Sequence, residues 1–247
     1  MPALARHIQE FNLATGRVIG GKYVVQQFLG AGWEGEVYRV TERRTGATRA
    51  AKLFFPQRNT NDRAVDFYAR KLERLRDCPI VIKYHHTESI QHQRHPITVL
   101  ISEFVDGRIL EDLIEQQRGK RFSEYAALRM FHEIVLGMEQ IHARREYHGD
   151  LHAGNVLVQR RGVHFDVKIV DLFDQGRYSR EHARDDVIDC IRLFYDMLGG
   201  PRHYRQVRPE FKYIIAGLRH SLILERFPTA RRLREHLDSF AWNLDVV

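Results

Sequence analysis

A chain of 247 residues, 43% hydrophobic and 29% charged, can bury a core as one large domain or two modest lobes, and this composition argues against disorder. A net charge of +7 raises nucleic acid as a partner, but the arginines fall in scattered pairs (Arg43-Arg44, Arg144-Arg145, Arg160-Arg161, Arg231-Arg232) with no basic stripe, so nucleic acid is not expected. No apolar run can span a bilayer, residues 1–11 lack a signal-peptide core, and Cys78 and Cys190 stand alone, which together predict a cytoplasmic protein that does not meet a membrane.

In chain order, residues 1–20 are an extension whose Leu4, Ile8, Phe11 and Leu13 could form a docking helix. Alternation predicts strands over 23–28, 36–41 and 48–54. From Asp62 the spacing of Val65, Tyr68, Leu72 and Leu75 is helical until Pro79. Two more strands, 81–89 and 97–104, flank a polar hairpin at Gln91-His92-Gln93. Composition then changes near Val105 to Gly107, dividing a β-rich part (about 21–105) from a mainly helical one (about 106–247). Ser123 caps a long amphipathic helix reaching about Ala143, with Leu128, Phe131, Ile134, Val135, Met138 and Ile141 on one stripe. A second helix covers 187–198 and stops at Gly199-Gly200, and shorter helices follow over 210–221 and 229–238.

Four motifs carry chemistry. Gly30, Gly32 and Gly35 stand in GxGxxG spacing, but the chain continues as strand rather than helix, which describes a β-turn-β flap whose N–H groups can approach phosphates. Lys52 lies between Ala50-Ala51 and Leu53-Phe54, and a lysine pointing into a core there is costly unless an anion meets it. Residues 147–158, YHGDLHAGNVLV, crowd Asp150, His152 and Asn155 into a polar loop before an apolar strand. Asp171 ends the apolar run Ile169-Val170, and an acid there with the amide of Asn155 is an oxygen-donor pair suited to magnesium beside nucleotide phosphates. The histidines His85, His86, His92 and His95 lack metal-ligand spacing.

In this order the motifs resemble those of the protein kinase superfamily, over about Tyr23 to Leu237: LGAGWEGEVY the glycine-rich loop, AAK the lysine strand, ISEFVDG the hinge, HGDLHAGN the catalytic loop, DLF in place of DFG. The resemblance implies an α+β, bilobal protein-kinase-like fold with a small β-rich N-lobe and a mainly α-helical C-lobe. It also implies ATP and Mg as cofactors, a protein substrate, and transfer to a serine or threonine hydroxyl. On this pattern Lys52 meets the α- and β-phosphates and Asp150 accepts the substrate proton, worth about 10²–10⁴-fold. His152 stands where a lysine usually touches the γ-phosphate, and Asn155 and Asp171 hold Mg²⁺. Leu29, Val37, Ala50 and Leu157 sandwich adenine, backbone at Glu103 to Val105 bonds it, and Asp186 anchors the catalytic loop.

The sequence departs from the pattern in several places. Gly149 replaces the arginine of HRD, and HGDLHxxN is also the form of aminoglycoside and other small-molecule kinases. Asp171 is followed by Asp186 after only fifteen residues, without APE, and Phe173 replaces the DFG glycine. Arg226 consequently needs a new partner. The helix acid that pairs with the lysine should fall at Tyr68 or beside it; Asp66 and Glu73 lie about one turn to either side, and either serves if the register slips, or neither does and Lys52 is poorly positioned. A small-molecule kinase and a pseudokinase interaction module therefore stand as alternatives.

Overall fold

The computed structural model describes residues 8–239, apart from residue 163, as two compact units: one comprising residues up to Asp77 with Ile82–Val105, the other Cys78–Val81 with the chain from Asp106 onward. The division at Val105 falls where the composition changes, while Cys78–Val81, a loop in the β-rich stretch, belongs to the helical unit.

The first unit is a six-stranded antiparallel sheet, ordered β1-β2-β3-β4-β6-β5, from β1 (Val18–Ile19), β2 (Tyr23–Ala31), β3 (Gly35–Glu42), β4 (Thr48–Phe54), β5 (Tyr84–His92) and β6 (His95–Glu103). Helix α1 (Arg63–Arg74) buries Val65, Tyr68 and Leu72, the stripe its 3.6-residue period selects. Alternation along β4 buries Ala51 and Leu53 on the core face and leaves Ala50 and Lys52 half-buried on the other. Lys52 therefore does not point into the core.

That core is completed by the extension. Ile8, Phe11 and Leu13 are buried with Tyr38, Val40, Leu53 and Phe55, yet residues 8–14 contain no helix. Over the described part of the extension no helix forms, because backbone N–H groups go to side chains instead: Phe11 N donates to Glu36 Oε1 at 3.0 Å and Leu13 N to the Tyr38 hydroxyl at 3.1 Å. Phe11 stacks on Phe55 at 5.3 Å, and Gln57 Nε2 donates to Ile8 O at 2.5 Å. Leu4 lies outside the described residues. Tyr38 also donates to Glu36, and burial together with that carboxylate pushes its phenol up to about 12.

The second unit starts with β7 (Arg108–Ile109) and α2 (Leu110–Gln116), then α3 (Glu124–Ala143), the hairpin β8 (Val156–Arg161) and β9 (His164–Ile169), and α4 (Arg180–Met197). Shorter helices α5 (Gly200–His203), α6 (Pro209–Ile215), α7 (His220–Arg226) and α8 (Ala230–Asp238) close it. Ser123 Oγ accepts from Ala126 N at 3.2 Å, the cap read from sequence, and the stripe of α3 is buried, with Phe131 stacked on Phe194 of α4 at 4.3 Å. The helix expected over 210–221 is two helices, because Ala216, Gly217 and Leu218 all take positive φ and cannot propagate an α turn. Arg226 finds its partner there, donating to Tyr213 O with its guanidinium 4.1 Å above that ring.

Candidate active site

In the first unit the glycine turn joins β2 to β3, as the β-turn-β reading requires. Gly32 N donates to Gly35 O at 2.9 Å, and Phe55 N to Glu34 O at 2.9 Å, so the turn lies down on the end of β4. Only glycine fits at 35: a Cβ there would stand 1.9 Å from the Leu53 carbonyl oxygen. Cross-strand pairing puts Val37 beside Lys52, and Ala50 beside Ser102 of β6, bringing these side chains to the face opposite the core. Gly30 is half-buried and Leu29 is exposed at the turn's entrance. Glu103 N is already donated to Lys83 O at 2.8 Å, so at Glu103 the backbone can offer a ligand only its carbonyl; Val105 ends the unit.

Lys52 Nζ lies 2.8 Å from Glu34 Oε2 and 4.8 Å from the Tyr68 ring centroid. Tyr68 stands at the expected place on the helix, and of the outcomes the sequence left open, Asp66, Glu73 or neither, the structure shows neither. Asp66 pairs with Arg70 at 3.1 Å and Glu73 with Arg76 at 2.9 Å, both short-range pairs on the outward side of α1. The carboxylate comes from the glycine turn, and its only sequence signal was an acid inside WEG.

In the second unit the polar loop is held from behind by Asp186, wholly buried on α4. Its Oδ2 accepts from His148 N at 2.8 Å and from His142 Nε2 at 2.9 Å, and its Oδ1 from Gly149 N at 2.9 Å. Burial alone would raise this carboxyl, but the His142 hydrogen bond and the Gly149 N–H outweigh it and hold it low. The buried His148 bridges the loop: Nδ1 accepts from Asp150 N at 3.2 Å, so Nε2–H donates to Val170 O at 3.0 Å. Gly149 has φ +85, and a Cβ there would meet the Tyr147 ring at 3.0 Å, so the missing arginine is a backbone requirement.

Around this frame the loop residues converge. Asn155 Nδ2 donates to Asp150 O at 2.9 Å, and Val170 N to Asn155 O at 3.0 Å, which ties the segment carrying Asp171 to the same loop. Asp171 itself takes φ +56. His152 Nδ1 accepts from Gly154 N at 3.1 Å, so in the neutral ring Nε2 carries the proton, 3.7 Å from Asp150 Oδ2. Leu157 is half-buried on β8. The short segment after Asp171 is fixed by Phe173 N to His148 O at 2.9 Å, Gln175 Nε2 to Gly149 O at 2.7 Å, and the Tyr147 hydroxyl to Gly176 O at 2.7 Å. Ser179 spends its Oγ capping α4, accepting from His182 N at 3.1 Å. Among the described residues no group of three or more His, Cys, Asp or Glu is placed to hold a metal.

Each unit thus carries its own motif: a loop with Asp150 and Asn155 gripped by a buried aspartate in the second, and a lysine strand beneath a glycine turn in the first. The protein kinase domain family matches residues 23–190, and this chain belongs to it. Among its relatives, serine/threonine-protein kinase Nek11 of Homo sapiens is 32% identical over 149 residues, 58% of this chain and 22% of that protein. Myosin-IIIa of Mus musculus is 27% identical over 162 residues, 63% of this chain and 10% of its own length. The chain thus spans a small fraction of the curated relatives it matches. A crystal structure of a double mutant of the Mycobacterium tuberculosis PknI kinase domain superposes with a TM-score of 0.68 at 19% identity, covering 92% of this chain and 98% of that one. The α+β kinase fold is thereby established.

Proposed function

We propose that this chain is an ATP- and Mg²⁺-dependent serine/threonine protein kinase domain in which Asp150 is the base. The observation that carries this reading is the Asp186 clamp, which holds the consecutive N–H groups of His148 and Gly149 just before Asp150 and so aims that residue, whose carboxylate stays open to an incoming hydroxyl.

The step balances simply. Asp150 accepts the proton of the acceptor hydroxyl as its oxygen bonds to the γ-phosphorus; the bond from that phosphorus to the β,γ-bridging oxygen breaks, and ADP leaves. Lys52 would balance charge on the α- and β-phosphates, and His152 would donate Nε2–H to a γ-phosphate oxygen. Adenine would meet Leu29, Val37, Ala50 and Leu157, with the Glu103 carbonyl and the Val105 N–H as its hydrogen-bonding partners, under Gly30, Gly32 and Gly35.

Asn155 and Asp171 suit Mg²⁺: the amide commits its NH₂ to Asp150 O and keeps Oδ1 as acceptor, and both residues present hard oxygen donors. When bound, the ion neutralises charge on the phosphates. No helix among the described residues is long and apolar enough to cross a membrane, and buried, unbridged Cys78 and Cys190 suit a reducing cytoplasm.

The test uses γ-labelled ATP with Mg²⁺, a mixture of generic proteins and, separately, sugar and aminoglycoside acceptors. Label on serine or threonine of protein is the expected result. Label only on small acceptors would overturn the protein-kinase reading in favour of a small-molecule kinase, the alternative its HGD loop raises. Nucleotide binding without transfer to either would make the chain a pseudokinase.

A further inference from the structure

A kinase lysine that must face phosphates needs a carboxylate to hold it, because a flexible ammonium loses rotamer entropy when it is fixed in one place. In this chain α1 supplies none. Asp66 and Glu73 keep 56% and 53% of their side-chain surface exposed and are engaged by Arg70 and Arg76. At the intervening place the ammonium meets the face of Tyr68, which attracts a cation without orienting its N–H bonds.

Glu34 does what α1 does not. Its Oε2 stands 2.8 Å from Lys52 Nζ, with 12% of the lysine side chain and 34% of the glutamate side chain exposed, so solvent screens the pair only in part. The carboxylate is carried on fixed backbone: the Glu34 carbonyl accepts from Phe55 N, the turn is closed by Gly32 N to Gly35 O, and Gly35 lies flat against the Leu53 carbonyl. Next to it the Trp33 ring sits under the Arg58 guanidinium at 3.7 Å, a second fastening of the turn to the chain that leaves β4. Two residues further on, Glu36 ties the start of β3 to the buried extension through Phe11 N.

We propose that Glu34 is the positioning residue for Lys52, so that the glycine turn, rather than helix α1, orients the ammonium for the nucleotide phosphates. This rests on the reading of Lys52 as the phosphate-binding lysine. One consequence is that rearranging α1 does not switch the lysine, whereas anything that lifts the turn does.

The test compares Glu34→Gln and Glu34→Asp with Asp66→Asn and Glu73→Gln in the full chain. Single-turnover transfer, ADP affinity by calorimetry and amine-reactive labelling of Lys52 without nucleotide are read together. Glu34→Gln should slow transfer about 10- to 100-fold, the range for losing a hydrogen bond to a charged group, with a smaller loss of ADP affinity. It should also speed labelling of Lys52 and leave the melting midpoint unchanged, while Glu34→Asp recovers part of the rate. Asp66→Asn and Glu73→Gln should stay within about twofold of the wild type, as exposed pairs do. Wild-type transfer and labelling in Glu34→Gln would overturn the proposal while leaving the kinase reading intact. Faster transfer or tighter ADP binding in that variant would also overturn it, since Glu34 would then be competing with phosphate. A wild-type chain that binds no nucleotide would overturn both.

Discussion

The loop carrying Asp150 and the strand carrying Lys52 are held in opposite ways. The loop is fixed by a fully buried carboxylate that accepts three hydrogen bonds, by His148 bonded on both ring nitrogens, and by Tyr147 and Gln175 at its outer edge. The lysine is held by a carboxylate on a surface turn, screened on one side by solvent. On the proposed reading Asp150 is a base that must keep its distance and angle through the reaction, which an over-determined backbone suits. A lysine that trades one anion for another benefits from a partner on an element that can open at small cost.

The largest expected effect comes from breaking the buried clamp. Asp186→Asn puts an NH₂ where the carboxylate accepted from N–H groups, leaving buried donors facing each other, and should cost about 3 kcal/mol of stability together with most of the transfer activity. Denaturant unfolding followed beside a transfer assay reads both; an unchanged midpoint would mean the loop is fixed by something else. Next is Gly149→Ala, which forces a Cβ onto a positive-φ position beside Tyr147 and should cost about 1–2 kcal/mol. A neutral result would show that the loop accommodates side chains and that the glycine has no backbone role.

A smaller, pH-dependent effect sharpens the contrast. Asp189, one turn beyond Asp186 on α4 and half-buried, is raised to about 7, by burial first and then by the charge of Asp186. Its folded value lies above its unfolded one, so the folded chain binds the proton more tightly. Stability from this group is therefore full at low pH and declines as pH rises through that window. Asp189→Asn should remove the decline, so its stability relative to the wild type should rise from the ordinary value of 3.8 to about 7 and level off above that. A difference that stays flat would place Asp189 outside the buried charge network. Asp186 has the opposite sign: its contribution is complete above 3.8, the ordinary value, and is lost only as pH falls below it.

Much of both units was legible because the signals are local. The Ser123 cap and the stripe from Leu128 to Ile141 depend on residues within a few turns of one another, and the strand at 48–54 is bounded by its own alternation. The polar strand β5 was placed three residues early because the buried apolar run 80–82 resembles a strand, although it precedes the sheet pairing and its Ile80 and Val81 belong to the other unit. The strand β9 was missed beyond its last residues, although Phe165, Val167 and Ile169 alternate. Two features were hidden for a different reason. Residues 8–13 look helical by spacing until their N–H groups are seen to end on Glu36 and Tyr38, 25 residues away, and the partner of Lys52 was sought one turn either side of Tyr68. Long-range pairing between a turn and a strand leaves no periodicity to read. The loop over 147–158 was singled out by resemblance, and its geometry explains the glycine that sets it apart.

The most direct test of the account is to measure ATP affinity and phosphoryl transfer on the same preparation of Asp150→Asn. Unchanged affinity with transfer reduced by about 10²-fold or more is the predicted result, since the base acts only in the transition state. Transfer at the wild-type rate would contradict it and require a different base in the loop.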